Sequence, residues 1–363
     1  MSDTVRIGII GAKPDQGWAS VSHIPAIAAT PGLQLAAVAA RSQDSADAAA
    51  RGFGVAKAYG STDDLIADPD IDLVAVVTSV PGHHDLILAS LAAGKHVITE
   101  WPVGISTAQT QKILDAARAA GVRTAVGLQA RMNPAVGHAM HLLRTGALGR
   151  VVDATVYSAT AAFGAVIAAG DVYLENPETA MNLVTIQASH TMDLAAVMVG
   201  GLDSLSALTT VRYPQVAVAE EDRTVERTIA DHLLVSARTT AGGALSVQVV
   251  GGRPADDAPF RMDITGTDGE LSLTGGGARG FQAGRLTLTV DGKTVDVDPL
   301  GTGGLPDTAV NVSQLYAALR DDIRDASATA PDFAHALALS HLMDDLLDSA
   351  REGRTVTPSA SWS

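Results

Sequence analysis

Apolar and polar positions follow two different rhythms along this chain. Up to residue 130, short, mainly apolar runs rich in β-branched residues recur at Val5–Ile10, Leu33–Ala39, Leu73–Val77, His96–Thr99 and Thr124–Gly127. Between them lie Ala-rich stretches with helical spacing, near Trp18–Ala29, Gln43–Gly52, His83–Ala93 and Thr107–Ala120. Strands so short and so largely apolar are buried on both faces, which is the habit of a parallel sheet. Regular alternation of strand and helix implies right-handed βαβ units, hence a doubly wound Rossmann domain over residues 1–130.

After Asn133–Arg144, which reads as a helix ending at Gly146, the rhythm changes. Strand-like runs follow one another at Val151–Ser158, Ser204–Val211, His232–Thr239, Ala244–Gly251, Phe260–Gly266 and Glu270–Thr274. Turn signals such as Asp268-Gly269 and Asp291-Gly292 separate several of them. The helical exceptions are Met181–Val199, Asn311–Asp322 and Asp332–Ala350. Consecutive strands without intervening helices indicate an open mixed or antiparallel sheet. Residues 131–363 are therefore expected to form an α+β domain, its last helices free to pack back on the first domain. Gly275-Gly276-Gly277 and Glu220-Glu221-Asp222-Arg223 read as loops.

Composition narrows the functional classes. The 363 residues are 47% hydrophobic, enough for two cores. A net charge of −15 argues against a nucleic-acid partner, whose phosphates select clustered Lys and Arg. With no cysteine there is no disulfide, thiolate metal site or Cys nucleophile. The opening MSDTVRIGII lacks the apolar core of a signal peptide, and no stretch approaches a membrane span, so a cytoplasmic protein is expected.

The first strand runs into Gly8-Ile9-Ile10-Gly11, then Ala12-Lys13-Pro14-Asp15-Gln16-Gly17-Trp18, then a helix. A dinucleotide site needs a tight glycine turn, a close backbone approach to the pyrophosphate and a helix N-terminus directed at its charge. Gly8, Gly11 and Gly17 can supply these, although the loop is longer than the usual G-x-G-x-x-G. At the end of the second strand stand Ala40-Arg41-Ser42, with no carboxylate for a ribose 2′-hydroxyl. An Arg and a hydroxyl suit a 2′-phosphate, so NADP is expected with NAD as the alternative. Arg41 can equally be a solvated residue before a helix.

Several segments carry a family resemblance: DPDIDLVAVVTSVPGHH, AGKHVITEWPVG, GLQARMNP, ASHTMDL and PDFAHALALSHLMDDLLDSAREG. Through them the whole chain resembles the glucose–fructose oxidoreductase/inositol dehydrogenase (Gfo/Idh/MocA) family. The loop KPDQGWASVSHIPAI, the variant EWP, LQAR and DHLLVSART resemble the branch containing the fungal galactose-pathway repressor. The resemblance implies a nicotinamide cofactor across the carboxyl ends of the Rossmann strands, a sugar-like substrate, and a homodimer or homotetramer. By position it implies Gly8, Gly11, Arg41, His83, Glu100 and Pro102 for the cofactor, with His190 and Asp193 on the substrate side. Catalytic members carry Glu-Lys-Pro, where this chain has Glu100-Trp101-Pro102, and an Asp where it has Ile186.

Hydride transfer belongs to the cofactor, so the protein must orient substrate and handle one proton. His190 suits that task because imidazole titrates near neutrality, and Asp193 one turn later can share its face. A histidine held in the core is the alternative. Trp18 and Trp101 can wall the nicotinamide or simply pack. Gln129 and Arg131 are candidate substrate contacts or anchors of the inter-domain joint; Tyr173 and Tyr157 are candidate hydroxyl donors, although such a Tyr is more often an amphipathic core residue. His83 and His84 are adjacent and rarely point to one ion, so no metal is expected. Two functions remain: an NAD(P)-dependent oxidoreductase of a sugar or polyol, favoured by the complete framework, and a non-catalytic NAD(P)-binding regulator, favoured by Trp101 and Ile186.

Overall fold

The computed structural model describes residues 4–14, 17–297 and 304–360. The chain divides into two compact units, Met1–Gln129 with Thr302–Leu337 and Ala130–Gly301 with Ala338–Ser363. Residues 302–337, which a single cut at 130 assigns to the second part, thus cluster with the first.

In the first unit six strands pair in parallel: β1 (Val5–Ile10), β2 (Leu33–Ala39), β3 (Lys57–Tyr59), β4 (Leu73–Val76), β5 (His96–Thr99) and β6 (Thr124–Val126). Their order is β3-β2-β1-β4-β5-β6, which reverses direction between β1 and β4. Dinucleotides bind at such a switch point, beyond the carboxyl ends of the strands. All four residues of β4 are buried, as a two-sided sheet requires. The connecting helices are α1 (Ile24–Ala29), α2 (Gln43–Phe53), α3 (Thr62–Ala67), α4 (His83–Ala92) and α5 (Thr107–Ala120). Ser42 and Ser106 cap α2 and α5 by accepting backbone N–H bonds, and left-handed Gly54 and Gly121 end them.

The helix expected from Trp18 is regular only in its second half. Residues 17–29 are continuously helical, but Ala19–His23 form a π turn closed by the Ile24 N–H donating to the Ala19 carbonyl. His23 ends that turn with only 1% of its surface exposed. The helix Asp307–Asp325 packs against both this turn and α1.

The second unit is built on an eight-stranded mixed sheet. Its strands are β7 (Val151–Ala159), β9 (Leu202–Thr210), β12 (His232–Thr239), β13 (Ala244–Val250), β14 (Pro259–Gly266), β15 (Glu270–Gly276), β16 (Leu286–Val290) and β17 (Lys293–Val295). They lie in the order β17-β16-β15-β14-β7-β13-β12-β9, with only β7 and β13 parallel. A small sheet β11-β10-β8 adds β8 (Val166–Ile167), β10 (Gln215–Val218) and β11 (Thr224–Glu226). Buried and exposed residues alternate along β12 and β14, so one sheet face is covered and the other open. Helices α6 (Pro134–Arg144) and α7 (Ser189–Val199) pack on this sheet; in chain order Asp307–Asp325 is α8 and Phe333–Glu352 is α9.

Two local expectations are corrected here. Gly275 and Gly276 belong to β15, not to a loop, because a Cβ on Gly275 would meet the Arg285 carbonyl at 2.6 Å; the glycine admits the neighbouring strand. The helix read from Met181 begins later, with a π turn over Val184–Ala188 that leads into α7.

A buried charge cluster braces the second unit. Arg227, 2% exposed, donates to both carboxylate oxygens of Glu175, at 2.5 and 2.8 Å, and to the carbonyls of Phe163 and Gly164. It also faces Asp231 at 3.4 Å. Asp231 in turn accepts the backbone N–H groups of Arg212 and Tyr213. Burial opposes the guanidinium charge, but the bonds and charges of Glu175 and Asp231 outweigh it and raise the pKa of Arg227. One residue thereby ties three loops together.

Candidate functional site

In the first unit the candidates gather at the carboxyl edge of the parallel sheet. Gly11, directly after β1, has a φ of +100°, and a Cβ there would approach the Val77 carbonyl oxygen to 2.5 Å. Only glycine makes this turn against the end of β4. Gly8 lies one turn earlier inside β1, where a Cβ would meet Leu65 of α3 at 2.7 Å, so its bare backbone serves helix–strand packing. Gly17 has a φ of +78° and open space around it, and it starts the helical run 17–29. Asp15 and Gln16 lie outside the described residues.

At the ends of the other strands stand the remaining cofactor candidates. Arg41 is exposed and makes no hydrogen bond or ion pair among the described residues, while the Ser42 hydroxyl caps α2. His83 is fully buried between two carbonyl oxygens, Pro102 at 2.9 Å and Thr78 at 3.0 Å. Burial lowers its pKa against the pull of those carbonyls, and a neutral ring, with one N–H, can donate to only one of the two. Trp101 and Pro102 are buried and joined by a cis peptide. Trp18 is half-buried, its indole nitrogen enclosed with no hydrogen-bond partner among the described residues. Among the described residues no cluster of His, Asp or Glu could hold a metal ion.

Two features fit a nicotinamide dinucleotide. The glycine turn at Gly11 leaves backbone free of side chains at the switch point, before a helix N-terminus. Gln129, 2% exposed and just beyond β6, keeps its side-chain oxygen buried with no hydrogen-bond partner among the described residues. A buried acceptor in that state is satisfied by a donor such as a carboxamide or hydroxyl.

The partners of one candidate at this edge escaped the sequence reading. Glu100, its side chain 20% exposed, accepts a hydrogen bond from His23 Nε2 at 2.8 Å. The other ring nitrogen, Nδ1, lies 2.8 Å from the Tyr316 hydroxyl on α8. Glu100 was legible as a cofactor candidate; its partners lie 77 residues before it and, through His23, on a helix 293 residues further along.

In the second unit the structure brings Arg131 and Asp193 together, Nε to Oδ2 at 3.8 Å, an ion pair beyond hydrogen-bond length. Asp193 is 1% exposed and His190, one turn before it on α7, 5% exposed. Ile186 lies half-buried in the π turn that precedes them. Tyr173 occupies a 3-10 turn over Ala169–Glu175 with 46% of its surface exposed, and burial followed by the charge of Asp171 raises its pKa. Tyr157 lies half-buried in β7.

Comparison with known proteins matches each part separately. Residues 5–128 match a family model described as an oxidoreductase family with an NAD-binding Rossmann fold. Residues 134–275 match the model of the Gal80p C-terminal domain. The chain is 32% identical over 229 residues to dehydrogenase aclE of Aspergillus oryzae, covering 61% of this chain and 62% of that protein. It is 25% identical over 319 residues to the galactose/lactose metabolism regulatory protein GAL80 of Saccharomyces cerevisiae, covering 82% and 73%. A solved levoglucosan dehydrogenase in complex with NADH and L-sorbose shares the fold, with a TM-score of 0.83, 20% identity and coverage of 98% and 99%. No helix among the described residues is long and apolar enough to cross a membrane.

Proposed function

Since the chain belongs to the Gfo/Idh/MocA oxidoreductase family, in its Gal80-like branch, we propose that it is an NADP-preferring oxidoreductase of a hydroxyl or carbonyl group on a sugar or polyol, working in the cytoplasm. The observation that carries this reading is the buried set on α7: His190 one turn ahead of Asp193, which is paired with Arg131. Titratable groups buried beside a specific charge partner make a candidate site of chemistry. The bound cofactor would supply hydride exchange. Gly11 and the helix N-terminus after it would hold the pyrophosphate, Trp18 and Trp101 would wall the cofactor, and Arg41 would grip a 2′-phosphate. Gln129 would give its carbonyl oxygen to a cofactor carboxamide or substrate hydroxyl. His190 would take the proton of the reacting hydroxyl, with the charged Arg131–Asp193 pair fixing the polarity around it; Tyr173 is a further substrate contact. This arrangement needs no lysine at position 101.

The test offers purified protein a panel of sugars and polyols with both nicotinamide cofactors and follows absorbance at the reduced-nicotinamide band. Turnover of at least one substrate is expected, and His190→Ala should abolish it while leaving cofactor affinity within about twofold. A panel with no turnover sinks the enzyme reading; activity surviving in His190→Ala makes His190 structural.

The likeness to GAL80 and the Gal80p-like match of residues 134–275 favour a second reading, a cofactor-binding regulator. Tight cofactor binding without turnover, together with a protein partner recovered from cells, supports it. In either reading we propose a homodimer or homotetramer formed through the open sheet face. There Leu208 and Leu234, paired across β9 and β12, are 53% and 40% exposed. Light scattering that reports a monomer rejects this.

A further inference from the structure

The proposed chemistry leaves one buried group of the first unit without a task, the hydrogen-bonded series Tyr316–His23–Glu100. A neutral imidazole at its centre, beside the Glu100 carboxylate, fixes one arrangement of its protons. Tyr316 is completely buried, and burial together with the Glu100 charge holds its pKa well above the usual value, so the hydroxyl keeps its proton. That O–H has His23 Nδ1 at 2.8 Å as acceptor. The two rings meet edge-on, with centroids 5.6 Å apart and planes at 86°. An imidazole that accepts at Nδ1 carries its hydrogen on Nε2, and this N–H donates to Glu100 Oε1 at 2.8 Å. The series therefore runs in one direction and ends on a carboxylate whose side chain is 20% exposed.

The position of that carboxylate suggests its use. Glu100 follows β5, and in the order β3-β2-β1-β4-β5-β6 it stands past the switch point, away from β2 and Arg41. A Rossmann sheet seats the adenosine over its β1–β3 half, where the ribose-reading residue ends the second strand, which leaves β4–β6 to the nicotinamide. Room for the carboxylate is built in. A Cβ on Gly127, just after β6, would come within 2.9 Å of both Glu100 oxygens.

We propose that Tyr316 and His23 are positioning residues that hold Glu100 as an oriented carboxylate on the nicotinamide half of the site, and that Glu100 makes the protein bind the oxidised cofactor in preference to the reduced one. The proposal rests on the reading that this chain binds a nicotinamide dinucleotide. The oxidised ring carries a positive charge and the reduced ring none, so a fixed carboxylate acts on the difference between them. His23 contributes by spending its one N–H on Oε1, and Tyr316 by selecting the tautomer that makes this bond available.

The experiment measures dissociation constants of NADP+ and NADPH, and of NAD+ and NADH, by titration calorimetry on the full chain, and compares their ratio among variants. Glu100→Gln and His23→Leu should each shift the ratio toward the reduced form by about tenfold, and Tyr316→Phe by about threefold. His23→Gln, whose amide can still donate to the carboxylate, should recover much of the wild-type ratio. A purely structural role weakens both redox forms together and leaves the ratio unmoved, and that result in Glu100→Gln overturns the proposal. If His23→Leu fails to fold, Tyr316→Phe and Glu100→Gln decide. Wild-type protein that binds neither form overturns the proposal together with the reading beneath it, an outcome distinct from binding with an unchanged ratio.

Discussion

Replacing Arg41 with Ala separates the two cofactors more cleanly than any other change at this site. Arg41 is exposed and makes no hydrogen bond or ion pair among the described residues, so the folded protein loses nothing when it is truncated. Its neighbour Ser42 differs: the hydroxyl accepts the Ser45 N–H at the start of α2, and its removal would weaken that helix. Any effect of Arg41→Ala on NADP must therefore come from the bound state. A hydrogen bond between a guanidinium and a phosphate contributes about 1.5–3 kcal/mol, which corresponds to roughly 10- to 100-fold in dissociation constant. Exposure and salt push the value to the lower end, so the loss should shrink as ionic strength rises. NAD has no 2′-phosphate and should change by less than about twofold. Calorimetric titration of both cofactors at two salt concentrations reads all of this. Equal losses for NADP and NAD would refute the 2′-phosphate role and return Arg41 to a solvated residue before a helix.

Other substitutions probe the scaffold behind the site. Gly11→Ala places a methyl group 2.5 Å from the Val77 carbonyl at a φ of +100°. About 1–3 kcal/mol of backbone strain, with steric overlap in addition, should lower the melting temperature and weaken both cofactors together; an unchanged melt contradicts the turn assignment. Arg227→Met strands Glu175 and Asp231 in the interior and should cost about 3–5 kcal/mol in urea unfolding, with Arg227→Met/Glu175→Leu recovering part of the loss. Acid should act through Asp68. Its burial favours the neutral acid, but Lys57, the Asp70 N–H and Tyr59 outweigh it and hold the pKa at about 2 instead of 3.8. Because the folded value lies below the unfolded one, this contribution is complete above the ordinary carboxylate range and fades as pH falls toward about 2. Its size is at most about 2 kcal/mol, reduced by screening at half-exposed Lys57. Acid unfolding followed by circular dichroism should thus lose slope in Asp68→Asn, and an identical titration would deny the carboxylate this role.

What could be read from residues alone was what burial dictates locally. Strands β1, β2 and β5 and helix α5 begin and end where the apolar runs and capping residues place them, because apolar burial dominates each strand even with Arg6, Gln34 or His96 in it. Strand β3 was passed over for the opposite reason: Lys57-Ala58-Tyr59 is three residues long and half-buried throughout. The π turns at Ala19–His23 and Val184–Ala188 add one residue to a helical period, a change set by tertiary packing that no composition announces. The glycines of β15 looked like a loop because their role, admitting β16, belongs to the neighbouring strand. Pairings across long separations were the least visible. His23 meets Tyr316 from 293 residues away and Arg227 meets Glu175 from 52, and nothing within either segment names its partner.

This distribution bears on how an enzyme and a regulator can share one framework. The glycine turn at Gly11, the buried Gln129 and the Glu100 series all lie in the first unit, and in the proposed function each would help to hold a dinucleotide. His190, Asp193 and Arg131 lie in the second unit, and in the proposed reaction they would handle a proton. A protein that only senses cofactor needs the first set and is indifferent to the titratable chemistry of the second. An oxidoreductase needs both, because hydride exchange at a hydroxyl carbon releases a proton that some side chain must accept. The two readings therefore differ in the cost of changing α7. In a regulator, His190→Gln preserves much of the volume and hydrogen-bonding capacity and should leave every measurable function in place. In an oxidoreductase the same substitution removes the proposed proton acceptor and should lower kcat by about 100-fold or more with cofactor affinity unmoved.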